Sequence, residues 1–169
     1  MNFKTSEINK WYKTKSGVIN SKLIINAINK VFYPSSDKKI IYFGPNSIIK
    51  KIMNENYSFN SFFISNTNDS DIKAEIQKLP LQDGSIDFVV LIHSLDMDKN
   101  PHAAFREIDR ILVDDGKIIV AGFNRLSFLG IYSLLPINSI FRNKNYLSIS
   151  RLSDWMSLFS FEVKQIFNI

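Results

Sequence analysis

Apolar positions along the chain fall into two kinds of run. Val18, Ile19, Leu23, Ile24, Ile25, Ala27, Ile28, Val31 and Phe32 recur at helical spacing, and Tyr33-Pro34-Ser35-Ser36 closes the run, which predicts a helix packed on a core. KIIYF, residues 39–43, is a short apolar block between lysine and Gly44-Pro45-Asn46, and predicts a first strand. A helix from Ser47, with Ile48, Ile49 and Ile52 on one face, precedes a second short strand, SFFIS, at 61–65. Residues 72–81 hold a third strand and its exit loop. The turn signal Gln82-Asp83-Gly84-Ser85 then leads into IDFVVLIHSL at 86–95, whose almost unbroken apolar character predicts a central strand covered on both faces.

Asn100-Pro101 opens the next helix, because proline is favoured in a first turn. Its inward face is Ala103, Ala104, Ile108, Ile111 and Leu112, with Arg106, Glu107, Asp109 and Arg110 outward, and Asp114-Asp115-Gly116 is the expected stop before a strand at 117–122. Residues 126–140 are apolar with Gly130 and Pro136 inside, the pattern of a partly helical cover. Ser150 or Ser153 would cap a helix through Trp155, Leu158 and Phe159, and 161–169 would supply a last strand. This order predicts an α/β fold, Rossmann-like, with a mostly parallel sheet and helices on both faces. The expected organisation is a single domain over 1–169, an N-terminal helical segment (1–36) preceding an α/β core (37–169).

Composition changes this picture little. Hydrophobic residues at 45% and charged residues at 22% are ordinary for a globular protein. The absence of cysteine excludes disulfides, thiolate nucleophiles and zinc-thiolate sites, and two histidines, His93 and His102, cannot build a multi-histidine metal centre. The net charge of +5 is spread over Lys10, Lys13, Lys15, Lys38-Lys39, Lys50-Lys51, Arg142 and Lys144, which favours a solvated surface over a nucleic-acid patch. No run of 18 apolar residues and no apolar signal region near the start are present, so a cytoplasmic protein without a membrane partner is the expectation.

Candidate chemistry gathers at the carboxyl ends of the expected strands, where open α/β sheets bind ligands. After the first strand, FGPNS offers backbone N–H groups at a helix start, although Pro45 supplies none. After the second, the position where nucleoside-binding folds carry an acid holds Ser65 or Asn66, with Asp69 further on. After the central strand come His93 to Asp98; Asp96 and Asp98 read more readily as loop-solvating than as acceptor-orienting groups. Trp11 reads as an aromatic anchor for the N-terminal segment. There is neither a GxGxxG nor a P-loop, and Asp114-Asp115 falls at the wrong end of its strand for a site.

LPLQDGSIDFVVLIHSLDMDKNPHAAFREIDRILVDDGKIIVAGFN, residues 79–124, resembles the second half of class I S-adenosylmethionine-dependent methyltransferases of the type 11 group. FNRLSFLGIYSLL and SRLSDWMSLFSFEV are similar to a bacterial subgroup with an RLxDW helix motif. The resemblance implies a class I methyltransferase fold lacking its last strand, with S-adenosylmethionine as cofactor and a methyl acceptor the residues do not identify. By position it implies that Phe43, Gly44 and Pro45 hold the methionine part, that Glu75 contacts the adenine amino group and Ile76 its face, and that His93, Ser94 and Leu95 border the sulfonium. His93, with a reference pKa near ~6.5, is the candidate catalytic base, or equally a histidine satisfied by backbone at a strand end. Asn124 is a candidate substrate ligand or a turn former. The first loop has one glycine, the ribose acid is missing and a seventh strand is not in sight. These departures keep a second reading open, a catalytically inactive interaction or regulatory module, and leave an open C-terminal edge for a protein partner or a second copy to cover.

Overall fold

The computed structural model describes residues 5–32, 35, 37–55, 60–98, 100–123 and 148–167. Its elements are α1 (Thr5–Trp11), α2 (Lys15–Val31), β1 (Ile40–Phe43), α3 (Asn46–Glu55), β2 (Ser61–Ser65), β3 (Ile72–Lys73), β4 (Ile86–Ile92), a 3-10 turn (Leu95–Met97), α4 (Pro101–Ile111), β5 (Leu112–Ala121) and α5 (Ile149–Leu158). Among the described residues every strand pairing is parallel and the spatial order is β3-β2-β1-β4-β5. The chain runs outward from β1 to β3 and then returns to the other side of β1. The strand order therefore reverses between β1 and β4, the place where α/β sheets open a crevice at their carboxyl edge.

Side-chain alternation divides the core into two layers. Ile40, Tyr42, Val90 and Ile92 face α1, α2 and α3, while Ile41, Phe43, Val89 and Leu91 face α4 and α5. All four residues of β1 are buried, which is why IIYF reads as a continuous apolar run. α3 buries Ile48, Ile49 and Ile52, and α4 buries Ala104, Phe105, Ile108 and Ile111. Asn100 caps α4 by accepting from the Ala103 amide, with Pro101 in the first turn. α2 starts at Thr14, whose hydroxyl accepts from the Gly17 amide and donates to the Trp11 carbonyl. A Cβ on Gly17 would lie 2.1 Å from that carbonyl, so only glycine lets α1 fold back onto α2.

Several expectations change. The third strand spans only Ile72–Lys73. α4 ends at Ile111, and Asp114-Asp115-Gly116 lies inside β5, where the register with β4 shifts between Ile86 and Phe88; the acidic pair and glycine form an irregularity in the ladder instead of a helix stop. Ser148 caps α5, its hydroxyl accepting from the Arg151 amide, in place of Ser150 or Ser153. Residues 161–167 form no strand. Phe161 packs on the core, but Val163, Ile166 and Phe167 are exposed and find no ladder partner among the described residues. The expected cover at 126–140 lies outside the described residues.

Glu107 and Arg110 were expected to face solvent on α4. They instead clamp the turn before β4. The Glu107 carboxylate accepts from the Leu79 amide, and the Arg110 guanidinium donates to the Leu79 and Leu81 carbonyls, to Glu107 and to Asp83. The hydrogen bond from Arg110 holds the Glu107 carboxyl below its ordinary 4.5. A group so depressed contributes stability above its unfolded pKa and loses it as pH falls through the lowered native value. Arg110→Ala should cost about 1–2 kcal/mol at neutral pH and distinctly less at about pH 3, measured by urea unfolding at both; an equal cost would mean the carbonyl contacts alone matter. The Tyr42 ring is fully buried and its hydroxyl has no hydrogen-bond partner among the described residues. An unpaired buried hydroxyl is destabilising, so Tyr42→Phe should raise the unfolding free energy by about 1 kcal/mol, and a loss in the same measurement would reveal a buried water on the hydroxyl.

Candidate functional site at the carboxyl edge of β1 and β4

Gly44 leaves β1 at φ +149°, a backbone region that side chains rarely adopt. A Cβ there would stand 2.5 Å from the Ile92 carbonyl oxygen, so the first loop is pressed against the end of β4. The Pro45 carbonyl accepts from the Ile48 and Ile49 amides and so starts α3. The second residue of α3, Ser47, donates both its amide (2.9 Å) and its hydroxyl (2.8 Å) to Oδ1 of Asn9 on α1. Asn46 Oδ1, one residue earlier, is buried without a partner among the described residues.

Across the crevice, His93 follows β4 at φ +52°, a left-handed conformation in which histidine is enriched among non-glycine residues. Its amide donates to the Ala121 carbonyl at 2.7 Å, joining the exits of β4 and β5. The ring is 2% exposed and stacks on Phe123, with centroids 3.9 Å apart and planes at 13°. Nδ1 lies 3.3 Å from Asp96 Oδ2, and the same carboxylate oxygen accepts from the Phe123 amide at 3.0 Å. A carboxylate only accepts, which places the proton on Nδ1; in the neutral ring Nε2 is then an acceptor for the Tyr12 hydroxyl at 2.6 Å. Burial, and secondarily the Asp96 charge, push the Tyr12 phenol up, so it stays protonated and donates.

The fold brings Phe43, Gly44 and Pro45 against His93, Ser94 and Leu95, through pairing of Phe43 with Leu91 and contact of Gly44 with Ile92. The Phe43 and Leu95 side chains belong to the core, which leaves their backbone for any ligand. Ser94 is half-buried, its hydroxyl donating to the Ile92 carbonyl. Glu75 is exposed and Ile76 half-buried, in a loop closed by the Glu75–Lys78 bridge. That loop is tied to the β4 exit by Gln77, whose amide donates to both Asp98 oxygens at 2.6 and 2.8 Å, while Asp98 also accepts from the Asn100 amide. Asp96 and Asp98 are therefore buried ties between loops, not solvating charges. Trp11 anchors its segment, 6% exposed and edge-on to Tyr12 and Phe123. His102 is exposed beside Trp155 on α5. Asn124 lies outside the described residues. Asn9, Tyr12 and Gln77 carry no motif, and only the packing of α1 on α3 and of the 74–78 loop on the β4 exit brings them to the site.

The family model described as "Methyltransferase domain" matches residues 51–120, the stretch from within α3 to the end of β5. That stretch is similar to the methyltransferase family, and the fold is that of class I methyltransferases. S-adenosylmethionine is the cofactor that this family implies. Over 94 residues the chain is 38% identical to the uncharacterized protein YafS of Escherichia coli (strain K12); the match covers 54% of this chain and 39% of that relative, so the chain spans well under half of it. Among solved structures it is similar to a SAM-dependent methyltransferase from Aquifex aeolicus, with TM-score 0.70 and 11% identity over 96% of this chain and 90% of that one. It is also similar to the methyltransferase in a complex with the Trm112 methyltransferase activator of Haloferax volcanii, with TM-score 0.67 and 14% identity over 91% and 74% of the two chains. At such identities the structures speak to fold.

Asp96 ties the exits of β4 and β5 together. Asp96→Ala should remove the acceptor of the Phe123 amide and of the His93 Nδ1–H, costing about 2–4 kcal/mol by urea unfolding. A loss below about 1 kcal/mol would show that water reaches both donors.

Proposed function

We propose that the chain is, as one domain, an S-adenosylmethionine-dependent methyltransferase that takes its cofactor at the carboxyl edge of β1 and β4. The observation that carries this reading is Gly44. Its positive φ and lack of room for a Cβ bring bare backbone of the first loop to the strand-order reversal, where a ligand's polar groups meet amides rather than side chains. Residues suited to hold the cofactor are Phe43, Gly44 and Pro45 for the methionine part, Glu75 and Ile76 for adenine, and His93, Ser94 and Leu95 beside the sulfonium. The bound cofactor supplies an electrophilic methyl group, and the protein's part is to position an acceptor in line with it and exclude water. His93, oriented by Asp96, is the proposed base for an acceptor that must lose a proton, and Asn124 the proposed acceptor ligand.

The enclosed state of His93, with Nε2 bonded to Tyr12, supports the second reading, a methyltransferase-like module that binds partners without catalysis. In either reading β5 is an edge strand among the described residues, and we propose that a protein partner or a second copy covers it, in keeping with the neighbouring fold that is held in complex with an activator. No helix among the described residues is long and apolar enough to cross a membrane, and we propose a cytoplasmic location.

Calorimetric titration with S-adenosylmethionine and S-adenosylhomocysteine tests the cofactor reading, with saturable binding expected. Loss of the exposed Glu75 carboxylate in Glu75→Ala should weaken that binding about tenfold or more with no change in thermal stability. Unchanged affinity would remove Glu75 from the site, and silence toward both ligands up to millimolar concentration would overturn the enzyme reading.

A further inference from the structure

The two polar groups that face each other across the β1–β4 crevice are both engaged by one short piece of chain. Asn9 takes the Ser47 amide and hydroxyl at the start of α3, and Tyr12, three residues on, takes His93 Nε2 at the exit of β4. Between them Trp11 lies edge-on to Phe123, which itself stacks on His93. A single segment thus spans the crevice from the β1 side to the β5 side. The Ser47 amide is among the first N–H groups of α3, which no intrahelical carbonyl can satisfy and which suit a carboxylate. An amide oxygen is a neutral stand-in for such an anion. The segment joins α2 through the capped turn at Thr14, while α2 itself is docked through Ile24, Ile25 and Ile28.

From this geometry we infer that residues 5–12 are an intramolecular plug, which holds the crevice closed by occupying the Ser47 amide and His93 Nε2 and must swing out before a ligand with a carboxylate and a sulfonium can enter. The inference rests on the cofactor reading above and adds its regulation. Closing by the plug reduces apparent affinity by the fraction of molecules that are open at any moment. It also reconciles a buried His93 with a catalytic one: the imidazole becomes available only when Tyr12 leaves it.

The test uses the full chain, S-adenosylhomocysteine as the probe, and the Asn9→Ala/Tyr12→Phe double variant, which keeps the buried ring of Tyr12 while removing both polar contacts. Calorimetry should show the variant binding more tightly than the parent protein, by about tenfold or more, since three hydrogen bonds no longer favour the closed state. In a Trp155→Phe background, where Trp11 is the sole tryptophan, its emission should shift to the red as the probe is added, reporting loss of its buried place. Equal or weaker binding by the variant, or a blue shift of Trp11 on binding, would show that the segment closes over a bound ligand as a lid, and would overturn the plug. Binding by neither the parent nor the variant would instead sink the cofactor reading itself, taking the plug with it.

Discussion

Parallel pairing of β1 with β4 is the constraint on which the rest of this structure depends. Four consecutive residues of β1 pair with 88–91 of β4, and every one of the four β1 side chains is buried. Because a strand's successive side chains point to opposite faces, this one pairing distributes Ile40 and Tyr42 to one core layer and Ile41 and Phe43 to the other. The pairing also places the end of β1 beside the end of β4, where the chain has gone out to β3 and come back. The crevice at that point follows from topology, and its floor from Gly44, which fits against the Ile92 carbonyl only because it lacks a side chain.

Around that floor the exits of three strands are held by two carboxylates. Asp96 joins β4 to β5 through His93 and the Phe123 amide, and Asp98 joins β4 to the 74–78 loop through Gln77. Each carboxylate is buried and accepts two or more hydrogen bonds, so both are costly to lose. The Glu107–Arg110 clamp does the same work at the opposite end of β4, securing the turn that feeds it. The N-terminal segment docks across the carboxyl end of this scaffold, burying Ile8, Trp11 and Tyr12 in the core layer.

The candidate site was partly legible in the residues. FGPNS, His93 and the loop around Glu75 could be placed at strand ends from apolar blocks and turn signals, and the similarity of 79–124 to methyltransferases singled out the cofactor. Asp96 and Asp98 illustrate what local pattern misses: two acids in a short loop read as solvated, whereas packing buries both against donors 21 to 27 residues away in sequence. Tyr12 illustrates it more strongly, since its partner His93 is 81 residues distant. Glu107 and Arg110 have helical spacing that puts them off the apolar face, and only the approach of the 79–83 turn makes them a clamp.

The sequence by itself determined the kinds of element and their order, because burial on two faces, helical periodicity and turn chemistry are properties of short stretches. It determined the parallel direction of β1 with β2 and of β4 with β5 as well, since a helix separates the strands of each pair. The tertiary structure decided where β5 begins, since the Asp114-Asp115-Gly116 turn signal was absorbed into a ladder irregularity once β4 offered partners on both sides of it. It decided that 161–167 forms no strand: Phe161 packs on the core, while Val163, Ile166 and Phe167 stay exposed. And it decided the state of the crevice: which polar groups stand open to a ligand depends on where α1 docks, a long-range packing outcome that no stretch of sequence encodes alone.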